Sequence, residues 1–165
     1  MAFGFELRES LSGSWYRLDD PTTDRAIRYT LVLGVSGLRR FLKERKLEAK
    51  GTIFIEGLAE GEVDGGRGDT EPGRPLFGTI VWRLIDEKRV PYDLELQGDD
   101  GKHYRLRGQR DFFMHDAVDS LTILPASIYD ESGAEIGRAT LRFDPRTGLP
   151  TTLKSIRPRL FVKGA

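Results

Sequence analysis

The chain has 165 residues, with 26 Lys and Arg set against 26 Asp and Glu, two His and no Cys. That length suits a single domain over 1–165, and without cysteine there is no disulfide, thiolate nucleophile or cysteine-ligated metal. A formal charge of zero removes the electrostatic case for bulk nucleic-acid or anionic-membrane binding, and no apolar run approaches the roughly 20 residues of a membrane-spanning helix.

Met1 to Arg8 lacks the basic-then-apolar signature of a secretory leader, so the expected setting is cytoplasmic. Charged residues make up 32% of the chain. They interleave with short apolar runs, which marks them as one solvated face of alternating strands. Phe3, Phe5 and Leu7 alternate with Gly4, Glu6 and Arg8, and a second run covers Gly13–Leu18 around Trp15 and Arg17. Ile27, Tyr29, Leu31 and Leu33 form the next apolar phase. Leu38, Phe41 and Leu42 then fall at i, i+3 and i+4, which predicts a short helix over Ser36–Arg45 with Ser36 as N-cap. This helix is expected to cross a barrel end.

Alternation resumes with Leu47, Ala49, Ile53 and Ile55. The stretch 59–75, with glycines at 61, 65, 66, 68 and 73 among charges, reads as a flexible Gly-rich loop that buries too little apolar surface to offset its ordering entropy. Further phases follow: Leu76, Ile80, Trp82 and Leu84; Val90, Tyr92, Leu94 and Leu96; Tyr104 and Leu106; Leu124, Ala126 and Ile128; Ala139, Leu141 and Phe143. Asp86–Arg89, Gln97–Lys102 and Tyr129–Ala134 are read as tight reversals between them. Helical turns are expected over Met114–Val118 and Pro150–Ile156, with Pro158 as a stop.

Hairpin-linked strands are antiparallel, so the fold class is mainly β: a single antiparallel barrel, or a two-sheet sandwich, of about eight to nine strands with one or two short helices. A barrel of about eight strands encloses either its own side chains or one small ligand. Tyr29, Trp82, Tyr92 and Tyr104 share the inward phase and are the candidate ligand-binding residues.

Catalytic and metal motifs are not matched, and no catalytic residue, metal site or cofactor is assigned. The glycines at 65, 66 and 68 fit no phosphate-cradling pattern, and Asp64, Asp69 and Glu71 lack the ligand order of a calcium loop. His103 sits on a charged strand phase. His115, among Asp111, Asp116 and Asp119, is a local cluster that a charged connecting loop explains as well as acid–base chemistry does. Arg83, Arg105, Arg107 and Arg110 are read as one outward cluster, able to hold an anion or to pair with neighbouring carboxylates.

Phe5-Glu6 with Leu11-Ser12-Gly13, the Tyr29-Thr30-Leu31 strand leading into Leu38–Leu42, Ala49–Ile53, Tyr92-Asp93-Leu94, Tyr104–Gly108 and Leu149–Arg157 carry a resemblance over most of the chain. In these elements the chain resembles the accessory β domain associated with large bacterial glucose–methanol–choline oxidoreductases of the cholesterol-oxidase type. The resemblance implies a sterol or lipid context, contributes no catalytic residue, and lacks the flavin-binding fingerprint; the 59–75 loop departs from it. The function expected first is a non-catalytic barrel module binding an apolar, sterol- or lipid-like molecule beside an oxidoreductase. The alternative is a protein-interaction or self-assembly scaffold with a filled core. An isomerase or cyclase built on His115 comes third.

Overall fold

A computed structural model of the chain describes residues 2–35, 37–61, 72–81, 83, 87–111, 122–143 and 157–161. The elements run β1 (Ala2–Arg17), β2 (Asp20–Val35), α1 (Leu38–Glu44), β3 (Lys46–Ile55), β4 (Arg74–Val81), β5 (Arg89–Gln97), β6 (His103–Asp111), β7 (Ile123–Tyr129), β8 (Glu135–Phe143) and β9 (Arg157–Phe161). Sequential neighbours from β1 to β8 pair antiparallel. β8 then returns to β1, with Leu11 opposite Phe143 and Arg17 opposite Gly137. The sheet is therefore a closed eight-stranded barrel, not a sandwich. Closure removes the free edges that an open sheet would expose.

β9 pairs with Ala2–Glu6 of β1, while β2 occupies the other edge of β1 from Phe5 onward. Strands β8 and β9 thus lie end to end along one side of β1. The two short runs expected within Ala2–Arg17 are one strand, because Glu9 and Gly13 interrupt its hydrophobicity without interrupting its alternation.

Period-two alternation sends Ile27, Tyr29, Leu31 and Leu33 inward from β2, and Val90, Tyr92, Leu94 and Leu96 from β5, all buried. At one level Tyr92, Gly108, Ala126, Ala139 and Trp15 follow one another around the wall. The three small residues leave room for the two large rings. Trp15 is 0% exposed, and a Cβ on Gly137 would stand 2.9 Å from its ring. The outward phase is charged, with Asp93 and Glu95 of β5 facing Arg107 and Arg105 of β6. This is the inverse of a lipid-facing barrel wall. No helix of the described residues is long and apolar enough to cross a membrane.

The β1–β2, β5–β6 and β7–β8 hairpins share one barrel end with the turn after β3. There Gly57 and Gly61 take positive φ, and Leu58 and Ala59 tuck in as buried residues. Asp99 fastens this turn: its carboxylate accepts the Glu60 N–H at 2.8 Å, the Gly61 N–H at 3.0 Å and Arg74 Nε at 2.9 Å. The Asp99 N–H in turn donates to the Leu58 carbonyl at 2.9 Å. Both ends of the stretch read as a flexible loop are built into the fold, Ala59 in a buried bridge and Arg74–Pro75 in β4, while 62–71 lie outside the described residues.

At the opposite end α1 covers Leu38–Glu44, as its spacing predicts, but its N-cap is Gly37 and no side chain caps it. Ser36 lies outside the described residues. The apolar face is narrower than the spacing suggests: Phe41 packs against the core, whereas Leu42 is 56% exposed. Arg45 ends the helix in the left-handed conformation, with its N–H on the Phe41 carbonyl at 2.7 Å. The segments expected to turn helically over Met114–Val118 and Pro150–Ile156 lie outside the described residues.

Candidate functional site

Among the described residues, the inward phase carries two charges. Glu9 on β1 is 4% exposed and Arg110 on β6 is 6% exposed. Arg110 donates from a terminal guanidinium nitrogen to Glu9 Oε1 at 3.0 Å. The Tyr29 hydroxyl donates to the same oxygen at 2.9 Å, and the Tyr92 hydroxyl donates to Oε2 at 3.3 Å. The guanidinium also lies over two rings, 4.3 Å from the Phe143 centroid and 5.2 Å from that of Tyr92. β1, β2, β5 and β6 therefore deliver one acceptor and three donors to a single point in the interior.

Removing an ion pair from water is costly, and further hydrogen bonds to its oxygens offset part of that cost. Here both carboxylate oxygens are engaged. Burial, followed by the negative charge of Glu9, pushes Tyr29 and Tyr92 well above the usual phenol range. Burial works against the charge of Arg110, but the attraction of Glu9 together with the Tyr92 and Tyr29 oxygens outweighs it and raises the guanidinium further. Phenols held neutral and a guanidinium held charged make a clamp between four strands. Neither is tuned to exchange protons near neutral pH, as general acid–base chemistry requires.

Of the four aromatics read as lining the interior, Tyr29 and Tyr92 meet at this clamp. Tyr104 is buried on the inward phase of β6, but six residues of strand separate it from Arg110, about 20 Å. Its hydroxyl donates to Asp100 Oδ2 at 2.6 Å in the β5–β6 hairpin, and burial together with that carboxylate pushes its pKa up to about 12. Trp82 lies outside the described residues.

Arg110 does not belong to the outward arginine cluster. It shares parity with Tyr104 and Leu106, so the strand turns it inward, away from Arg105 and Arg107. Those two remain on the wall and are neutralised by carboxylates: Arg105 Nε is 3.6 Å from Asp93, and Arg107 Nε is 3.5 Å from the same Oδ1. Arg83 is exposed and pairs with Glu87.

Trp15 is a further interior aromatic that alternation places only loosely; its indole N–H donates to the Glu56 carbonyl at 3.2 Å, tying the barrel core to the turn after β3. His103 is exposed on the wall, its backbone N–H bound to Glu131 at 2.9 Å. Asp111 ends β6, while His115, Asp116 and Asp119 lie outside the described residues.

Three hollows lined by described residues open on the outside of the barrel. One of about 710 Å³ lies over β6, β7, β8 and β1, and one of about 360 Å³ adjoins it across Arg107. The third, about 180 Å³, lies between α1 and the ends of β2 and β3. No protein-family model, curated protein or solved structure matches the chain.

Proposed function

We propose that the chain is a non-catalytic barrel domain that acts through its outer wall, as an interaction module with a filled core. The oxidoreductase-associated setting suggested by the sequence resemblance is part of this proposal. The observation that carries it is the clamp. The polar groups that could greet an enclosed ligand, the hydroxyls of Tyr29 and Tyr92 and the Arg110 guanidinium, are bound to Glu9 of the same chain. A sterol or fatty acid entering at that level has to displace side chains and leave a buried charge with fewer partners, which is costly.

The test sets this reading against an enclosed apolar ligand. The full chain is melted with and without cholesterol, palmitate and oleate while tryptophan emission is followed. A ligand held at 100 times its Kd adds about 2.7 kcal/mol to stability, which for a domain of this size raises Tm by about 5–10 °C. A filled core gives no saturable rise with any of the three. A saturable rise with a blue-shifted emission would overturn the wall-acting reading in favour of the enclosed apolar ligand.

A further inference from the structure

The larger hollow on the wall arises from side-chain length. Gly108, Ala126 and Ala139 are neighbours on β6, β7 and β8 and form its floor. The outward side chains beside them are short: Ser14 on β1, Ser127 on β7 and Thr140 on β8. Longer ones, Tyr16, Arg107 and Arg138, stand around this centre, so the wall is dished. The result is an open, shallow depression of about 710 Å³ and not an enclosed cavity.

Charge narrows the class of ligand. Arg107 is matched by Asp93 at 3.5 Å and Arg138 by Glu135 at 2.8 Å, and Asp24 adds a further carboxylate to the rim. With two guanidinium groups set against three carboxylates there is no net positive field to draw in a phosphate chain or an acidic peptide. What remains is a dense mixture of hydrogen-bond donors and acceptors. A serine or threonine hydroxyl can do both, although that of Ser127 already donates to Glu135 at 2.9 Å, and a guanidinium paired along one edge still offers N–H groups on another. Among the described residues, neither Ser14 nor Thr140 spends its hydroxyl on a side-chain hydrogen bond. Tyr16 contributes a flat, half-buried ring, apolar on its face and polar at its tip.

We propose that this hollow binds a neutral oligosaccharide. Sugar hydroxyls donate and accept alternately along the chain, as the lining does, and the carbon-bearing face of a pyranose ring suits the Tyr16 ring. The adjoining hollow of about 360 Å³ continues past Arg107 toward Tyr129 and Glu131. It extends the site beyond one sugar unit, so the ligand is a short chain and not a monosaccharide. The inference rests on the wall-acting reading and gives that wall its ligand class.

The experiment is a ¹⁵N–¹H NMR titration of the full chain with maltotetraose, cellotetraose and chitotetraose. Each is taken to about 10 mM, close to saturation for a Kd of about 1 mM. Tripolyphosphate and a hexa-aspartate peptide serve as charged comparisons. Saturable shifts with at least one neutral sugar, centred on the amides of Ser14, Tyr16, Ser127 and Thr140, are expected. They should weaken at least tenfold in Ser14→Trp and in Thr140→Lys, two outward substitutions that fill the hollow independently. Absence of shifts with all three sugars overturns the inference, as does a response to tripolyphosphate or the peptide alone. Those results leave the wall-acting reading standing. Its own failure appears separately, as inward residues such as Leu94 and Leu106 shifting with palmitate.

Discussion

Glu9→Gln removes the buried carboxylate that pairs with Arg110 while keeping size and shape. The guanidinium, 6% exposed, then loses the charge of Glu9, and the two phenols face an amide in place of a carboxylate. Breaking a buried pair from one side costs about 3–5 kcal/mol. Against a total stability of about 5–15 kcal/mol this is a large fraction, and at 2–4 °C per kcal/mol it lowers Tm by about 6–20 °C. Urea unfolding followed by tryptophan emission measures the loss. The companion variant replaces the whole cluster with apolar groups: Glu9→Leu, Arg110→Met, Tyr29→Phe and Tyr92→Phe. Buried ion clusters replaced in this way are often neutral or stabilising by about 1–4 kcal/mol, so the quadruple variant is expected to recover most of what Glu9→Gln loses. A cost below about 1 kcal/mol for Glu9→Gln, the value of an exposed pair, would refute the placement of these charges in the interior.

Gly51→Ala is expected to destabilise the barrel by about 1–3 kcal/mol or more, since its Cβ would stand 1.8 Å from the Thr30 carbonyl oxygen across β2–β3; a melting curve within a degree of the parent would show that the two strands are not in this register. Tyrosine ionisation followed by ultraviolet absorbance should leave Tyr29 and Tyr92 neutral as long as the fold survives and bring Tyr104 in near pH 12, so titration of all five tyrosines near the ordinary phenol value contradicts the burial pattern. Burial opposes the charge of Asp99, but the N–H groups of Glu60 and Gly61 and the Arg74 guanidinium lower its pKa below the ordinary carboxylate value. A lowered folded-state pKa stabilises above the unfolded value and is lost as pH falls through the folded one, so Tm should drop more steeply below about pH 4 in the parent than in Asp99→Asn. Equal slopes would remove Asp99 as the fastening of the turn after β3.

Much of the fold is legible in the sequence because its strands alternate strictly. Ile27 to Leu33 and Val90 to Leu96 reveal both the strand and its inward face, and the glycines at 101 and 133 mark two of the hairpins. The clamp is hidden from an alternation pattern built on apolar residues alone. Glu9 falls in step with Leu7 and Leu11, and Arg110 with Tyr104 and Leu106, so parity already turns both inward. An acid on one strand and a base on another, each breaking an apolar phase, is the signal that would have found the pair. Which tyrosines meet it depends on barrel closure: β1 and β6 are 101 residues apart at the contact between Glu9 and Arg110. No local pattern carries that separation. The outer hollow is illegible for a similar reason, since it depends on short side chains from three strands falling on neighbouring levels of the closed wall.

The central claim is that the interior is occupied by the chain's own side chains, and the hydroxyl protons of Tyr29 and Tyr92 report on it most directly. Buried and bound to Glu9, they exchange slowly with water and should appear in the proton NMR spectrum as two separate signals, unchanged by excess oleate or cholesterol. Signals that are absent in the native protein, or that vanish as either lipid is added, would contradict a filled interior and return the barrel to the role of a carrier.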